Sequence, residues 1–143
     1  MKYLLDTCII SELIKKSPSS KLIRWFYTID ENQLFISVLT IGEIHKGIEK
    51  LPSSKKKNKL HKWVNHDLKE RFNNRILDFD LKTATIWGKM QAYSEMQGKS
   101  MPAIDGQIAA TGMRYDLIVV TRNIKDMEIS GVMLLNPWDK QRK

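Results

Sequence analysis

Leu117-Ile118-Val119-Val120-Thr121 is an unbroken apolar run rich in β-branched residues. A strand that alternated apolar and polar residues would have one wet face. This one has none, so it reads as buried on both faces, the condition of a strand inside a parallel sheet. Working outward, Asn123-Ile124-Lys125-Asp126 forms a turn directly beyond it. Val132-Met133-Leu134-Leu135 is a last strand, stopped by Asn136-Pro137-Trp138. Upstream, Gly98-Lys99-Ser100 is a loop, and Pro102 is well placed to open a helix from Ala103 to Arg114.

The rest of the chain repeats the alternation. Tyr3–Leu5 reads as a short buried strand, with a brief helix over Ser11–Lys16 and a second over Lys21–Phe26 that Ser19 or Ser20 can cap. Leu34–Val38 is another β-prone run. Thr40-Ile41-Gly42-Glu43 then matches a capping box opening a helix that ends near Pro52. Ser53–Arg71 is the most charged stretch, an amphipathic helix with Leu60, Trp63, Val64 and Leu68 near one face. Ile76–Phe79 is a short strand candidate, and Ala84, Trp87, Met90 and Tyr93 mark a helix running to about Gln97. Strands alternating with helices predict an α/β fold, three layers with helices on both faces of a central, mostly parallel sheet.

A length of 143 residues suits one core, so residues 1–143 are expected to form a single domain. No apolar stretch approaches the roughly 20 residues of a membrane span. The three-residue apolar run before Asp6 is too short for a secretory leader. Cys8 is the sole cysteine, which excludes an intrachain disulfide; a reducing, cytoplasmic location is expected. Twenty-four Lys+Arg against 16 Asp+Glu leave a net charge of +8, which favours a polyanionic partner, nucleic acid foremost. The plainer reading is that the charge serves solubility.

Within this basic chain, acids recur at element boundaries. Asp6 directly follows the first strand, while Glu43 and Asp105 lie at later breaks. Asn123 and Asp126 follow the Leu117–Val120 strand. Each acid has a local explanation: Asp6 as a helix N-cap, Glu43 as the partner of Thr40 in a capping box, Asp105 in a helix first turn, Asp126 as a turn cap. Capping does not explain why they fall where open α/β sheets gather ligands, beyond the strands' carboxyl ends. Converging carboxylates repel unless they protonate or bind a cation. All-oxygen ligation with room for water suits Mg²⁺ or Mn²⁺, an ion able to polarise a phosphodiester and activate water. Other chemistries fare worse. His61 and His66 stand five apart rather than the four that shares a helix face, and no phosphate-binding Gly-rich loop is present. Cys8 is expected to be a buried small residue.

These motifs together resemble a known family. Leu4-Leu5-Asp6-Thr7-Cys8-Ile9-Ile10-Ser11-Glu12-Leu13 resembles the opening of PIN-domain ribonucleases, specifically VapC-type toxins of type II toxin–antitoxin systems. Ser37–Glu43 is similar to the family's second acidic motif and Pro102–Thr111 to its third. Val120–Asp126 and Asn136-Pro137-Trp138 complete the series, as in the FitB-like branch. The resemblance implies a single PIN domain that hydrolyses RNA with Mg²⁺, Mn²⁺ being a possible substitute. It also implies a homodimer, and a hetero-oligomer with a VapB-like antitoxin. It gives catalytic roles to Asp6, Glu43, Asp105 and Asp126, with Asp6 and Asp105 as direct metal ligands. Some members carry Asp where this chain has Asn123, and Asp126 lies close enough in sequence to supply that charge. Thr7 and Thr121 become supporting hydroxyls, and Cys8 stands in place of the Asn common after Asp-Thr. The basic helix from Lys55 to Lys69 reads either as an RNA-contact surface or as a solvated face. Two other functional classes compete with the nuclease: a non-catalytic PIN-like nucleic-acid-binding module, and a protein-binding subunit.

Overall fold

A computed structural model of the chain describes residues 1–139. Five strands form one sheet in the order β3-β2-β1-β4-β5. They are β1 (Tyr3–Leu5), β2 (Leu34–Ser37), β3 (Ile76–Leu77), β4 (Ile118–Val120) and β5 (Leu134–Leu135). Every neighbouring pair is parallel, and β1 lies opposite β4 through Tyr3–Ile118, Leu4–Val119 and Leu5–Val120. The predicted layering is therefore observed, with a sheet that is parallel throughout.

The alternation of side chains along each strand divides the interior in two. Leu5, Leu34, Ile36 and Val120 face one core, built with Ile9, Ile10, Leu22, Trp25, Ile44, Ile48, Val64, Leu68 and Phe72. Leu4 and Val119 face the other, with Ile108, Ala109, Leu117, Met127 and Val132. The first layer is formed by α1 (Thr7–Leu13), α2 (Ser20–Tyr27), α3 (Val38–Glu49), α4 (Lys55–Lys62) and α5 (Leu68–Arg71). The second is formed by α6 (Leu81–Met96), α7 (Ala103–Tyr115) and α8 (Ile124–Met127). Among the described residues no helix is long and apolar enough to cross a membrane.

Two boundaries differ from the sequence reading. The first helix begins at Thr7 rather than Ser11, because the Asp6 side chain accepts the Thr7 N–H and turns the chain immediately at the strand's end. The helix expected from Thr40 begins at Val38, capped by Ser37, whose Oγ accepts the Leu39 N–H at 3.0 Å. The amphipathic Ser53–Arg71 helix is observed, with a π turn at Trp63–Asp67 joining α4 to α5. Its apolar residues Leu60, Val64, Leu68 and Phe72 recur every four positions, a spacing that drifts by about 40° per step at 3.6 residues per turn. The wider turn takes up that drift and keeps Val64, Leu68 and Phe72 buried.

Candidate active site

From the sheet's centre the chain leaves β1 toward β2 on one side and β4 toward β5 on the other. The helices that follow, α1 and α8, consequently pack into opposite cores. Sheets of this kind bind ligands beyond the carboxyl ends of the two strands at which the order reverses, here β1 and β4. Asp6 and Thr121 stand there, each one residue past its strand.

Asp6 is 3% exposed and every contact holds it in place. Its Oδ1 accepts the Thr7 N–H at 2.8 Å, and its Oδ2 accepts the Thr121 hydroxyl at 2.7 Å. Its own N–H donates to the Val120 carbonyl at 3.0 Å, tying it to the neighbouring strand. Burial pushes its pKa upward, opposed by the hydrogen bonds from Thr121, Thr7 and the Cys8 thiol. The N-cap explanation is thus correct for Asp6 but uses one oxygen only.

For Glu43 the capping explanation fails. Thr40 and Glu43 lie inside α3, beyond the cap at Ser37, and being three apart they share a face of that helix. That face meets the start of α1: the Thr7 hydroxyl donates to Glu43 Oε1 at 2.5 Å, and the Thr40 hydroxyl lies 3.3 Å from that of Thr7. Thr40 is a polar member of the site that sequence reasoning missed. Its signal was the same three-residue spacing, assigned to a helix start instead of a helix face.

Asp105 lies in the first turn of α7, after Pro102, where the helix dipole favours a negative charge. Its pKa is nevertheless pushed up to about 6, first by burial and then by the charges of Asp6, Asp126 and Glu43. The four sequence-selected acids therefore share one field. Asp126 is exposed in α8 and forms no side-chain cap there. Asn123 N-caps α8 through its backbone, its N–H donating to Thr121 Oγ1 at 2.9 Å. Asp126 adds its negative charge at Asp105, whereas Asn123 carries none.

Among the described residues no Lys or Arg pairs with these acids; the ion pairs lie elsewhere, at Glu12, Glu31, Glu49 and Asp80. Arg122, the nearest candidate in sequence to Thr121, stacks instead over the Trp138 ring, 3.8 Å from its centroid. Uncompensated carboxylates with only oxygen donors fit a hard divalent cation. Among the described residues no group of three His, Cys, Asp or Glu side chains is arranged to hold a metal ion. A pair of carboxylates fits only an ion that keeps most of its shell as water, as Mg²⁺ does. Two open clefts meet at Asp126: one of about 510 Å³ bordered by Arg122, Asn123 and Asn136, the other of about 550 Å³ bordered by Lys99 and Ser100. Lys125 lines both, so cations stand beside the acids without neutralising them.

Known proteins resemble this chain over most of their length. Residues 3–128 match the PIN domain family. Toxin FitB of Neisseria gonorrhoeae is 34% identical over 135 residues, covering 94% of this chain and 97% of that protein. The tRNA(fMet)-specific endonuclease VapC of Shigella flexneri is 30% identical, covering 96% of this chain and 98% of its own. Among solved structures, a chain of FitAB bound to an IR36 DNA fragment superposes with a TM-score of 0.91 at 32% identity, covering 98% of each chain.

Proposed function

The chain belongs to the PIN domain family, and we propose that it is the toxin of a type II toxin–antitoxin pair, an Mg²⁺-dependent endoribonuclease partnered by a VapB-like antitoxin. The observation that carries this reading is the unneutralised field of Asp6, Glu43, Asp105 and Asp126 at the sheet's switch point. The names of relatives that match nearly end to end, a toxin and a tRNA endonuclease, support it.

In the proposed mechanism Asp6 and Asp105 would hold Mg²⁺, or Mn²⁺ in its place. A bound ion of this type polarises a phosphodiester and lowers the pKa of attacking water. The chain's own groups do the positioning. Thr121 and the Thr7 N–H fix both Asp6 oxygens, so its carboxylate reaches the site without rotamer freedom. Thr7 holds Glu43 so that its second oxygen is available to orient or deprotonate a water. Asp126 adds charge at the rim, and Lys99 and Lys125 are placed to hold the RNA backbone on either side of it.

The test is cleavage of total RNA by purified protein with Mg²⁺, with EDTA, and with the variants Asp6→Asn and Asp105→Asn. EDTA abolishes cutting, and each variant loses roughly 10²–10³-fold or more, the scale of removing one preorganised electrostatic group. Cutting that continues unchanged in EDTA or in either variant defeats the mechanism. RNA binding without cutting would identify a non-catalytic binding module instead.

A further inference from the structure

From Lys55 to His66 the chain carries five lysines and no acid. Helix physics argues against that distribution. Lys55, Lys56 and Lys57 occupy the first turn of α4, at the positive end of the helix dipole, and that turn contains no acid. Lys55 and Lys59 are four apart and Lys59 and Lys62 three apart, so like charges stack along one face where alternating signs would stabilise the helix. Lys57 is accounted for: its Nζ donates to the Glu49 and Leu51 carbonyls and closes the end of α3. Lys55, Lys59 and Lys62 are exposed, and among the described residues none of them forms an ion pair. Together with Asn58, Asn65 and His66 they line an open groove of about 520 Å³ on the side of the helix away from buried Val64 and Leu68.

We infer that this face of α4 is a docking surface for the phosphate backbone of a folded RNA, apart from the acidic centre. Three unpaired cations on one face attract a polyanion over a Debye length, while Asn58 and Asn65 offer hydrogen bonds between them. A polyanion also removes the repulsion that the lysine stripe otherwise carries. The inference rests on the ribonuclease reading for its choice of RNA over an acidic protein segment. It deepens that reading by separating the groups that grip the substrate from those that cut it.

The test compares the full chain with a Lys55→Gln/Lys59→Gln/Lys62→Gln variant and an all-Arg counterpart, each checked for an unchanged thermal transition. Binding of a labelled hairpin RNA is read in EDTA across a salt series, and cleavage of a short single-stranded oligonucleotide is read with Mg²⁺. The Gln variant binds the hairpin about 10-fold or more weakly and shows a salt slope shallower by about two, since each phosphate contact contributes roughly 0.7–0.9 to that slope. The Arg variant binds as the parent does, and both cleave the short oligonucleotide at the parent's rate. Unchanged hairpin affinity and slope in the Gln variant overturn the inference. So does an unchanged hairpin affinity accompanied by lost binding of a polyglutamate peptide, which would assign the face to an acidic protein. Lysine-dependent hairpin binding by a chain that cuts no RNA would uphold docking and defeat the nuclease reading alone.

Discussion

Asp105 is the residue whose chemistry is most exposed to measurement. Its carboxyl is raised from 3.8 to about 6 because burial and three neighbouring negative charges disfavour ionisation in the fold. A raised acid stabilises the folded state below its unfolded pKa, and that contribution is lost as pH rises through about 6. In EDTA, therefore, Asp105→Asn should gain thermal stability relative to the parent as pH rises from about 4 to about 7, with the two curves converging at the acid end. Melting scans across that window check it; a parent that gains on the variant over the same range contradicts the shared field. Asp6 and Asp105 were legible in the sequence because each follows a visible boundary, a strand end and a helix-opening Pro102. Glu43 was legible only as an acid. Thr40-Ile41-Gly42-Glu43 imitates a capping box, and what separates it from one is Ser37, three residues earlier, taking the cap. The hydrogen bond from Thr7 that gives Glu43 its orientation spans 36 residues and leaves no local signature.

At the scale of elements, two helical glycines have opposite reasons to exist. A Cβ at Gly112 in α7 would stand 2.6 Å from Val119 Cγ2 and 3.1 Å from Val132 Cγ2. Val119 is a buried β-branched side chain on a central strand and has nowhere to retreat. Gly112→Ala should cost about 1–3 kcal/mol by overpacking, despite Ala's better helix propensity. Gly88 in α6 has nothing within 4 Å and is exposed. Gly88→Ala should stabilise by about 0.5–1 kcal/mol from propensity alone. Denaturant melts of both variants measure the contrast, and equal effects would mean that α7 does not pack on β4 this closely. The strands and helices themselves were readable from periodicity and punctuation. The π turn was not, because Leu60, Val64, Leu68 and Phe72 look like an ordinary amphipathic face until their four-residue drift is followed for three steps.

For the whole molecule, the net charge of +8 and the acidic centre pull in different directions. The chain as a whole attracts polyanions, while the acids at its switch point repel them. A divalent ion that binds only the folded state adds about 2.7 kcal/mol of stability at 100 times its Kd. Titrating Mg²⁺ into the metal-free protein near neutral pH should raise Tm, and the rise should vanish in Asp6→Asn and Asp105→Asn. A rise that survives both substitutions would locate the ion elsewhere. Parallel topology was predictable from the apolar character of Leu117–Val120, but strand order was not. No local pattern states that β1 pairs with β4 as well as with β2.

That pairing has a consequence for when the protein becomes itself. The hydroxyl that anchors Asp6 is supplied from 115 residues further along the chain. On the ribosome, a nascent chain that has not reached Thr121 carries Asp6 and Glu43 but neither that hydroxyl nor the strand that seats β1 in the middle of the sheet. The centre therefore cannot be assembled in stages. It forms only once β4 has been made, so a chain truncated before Thr121 should lack the anchored Asp6 and, with it, RNA cleavage.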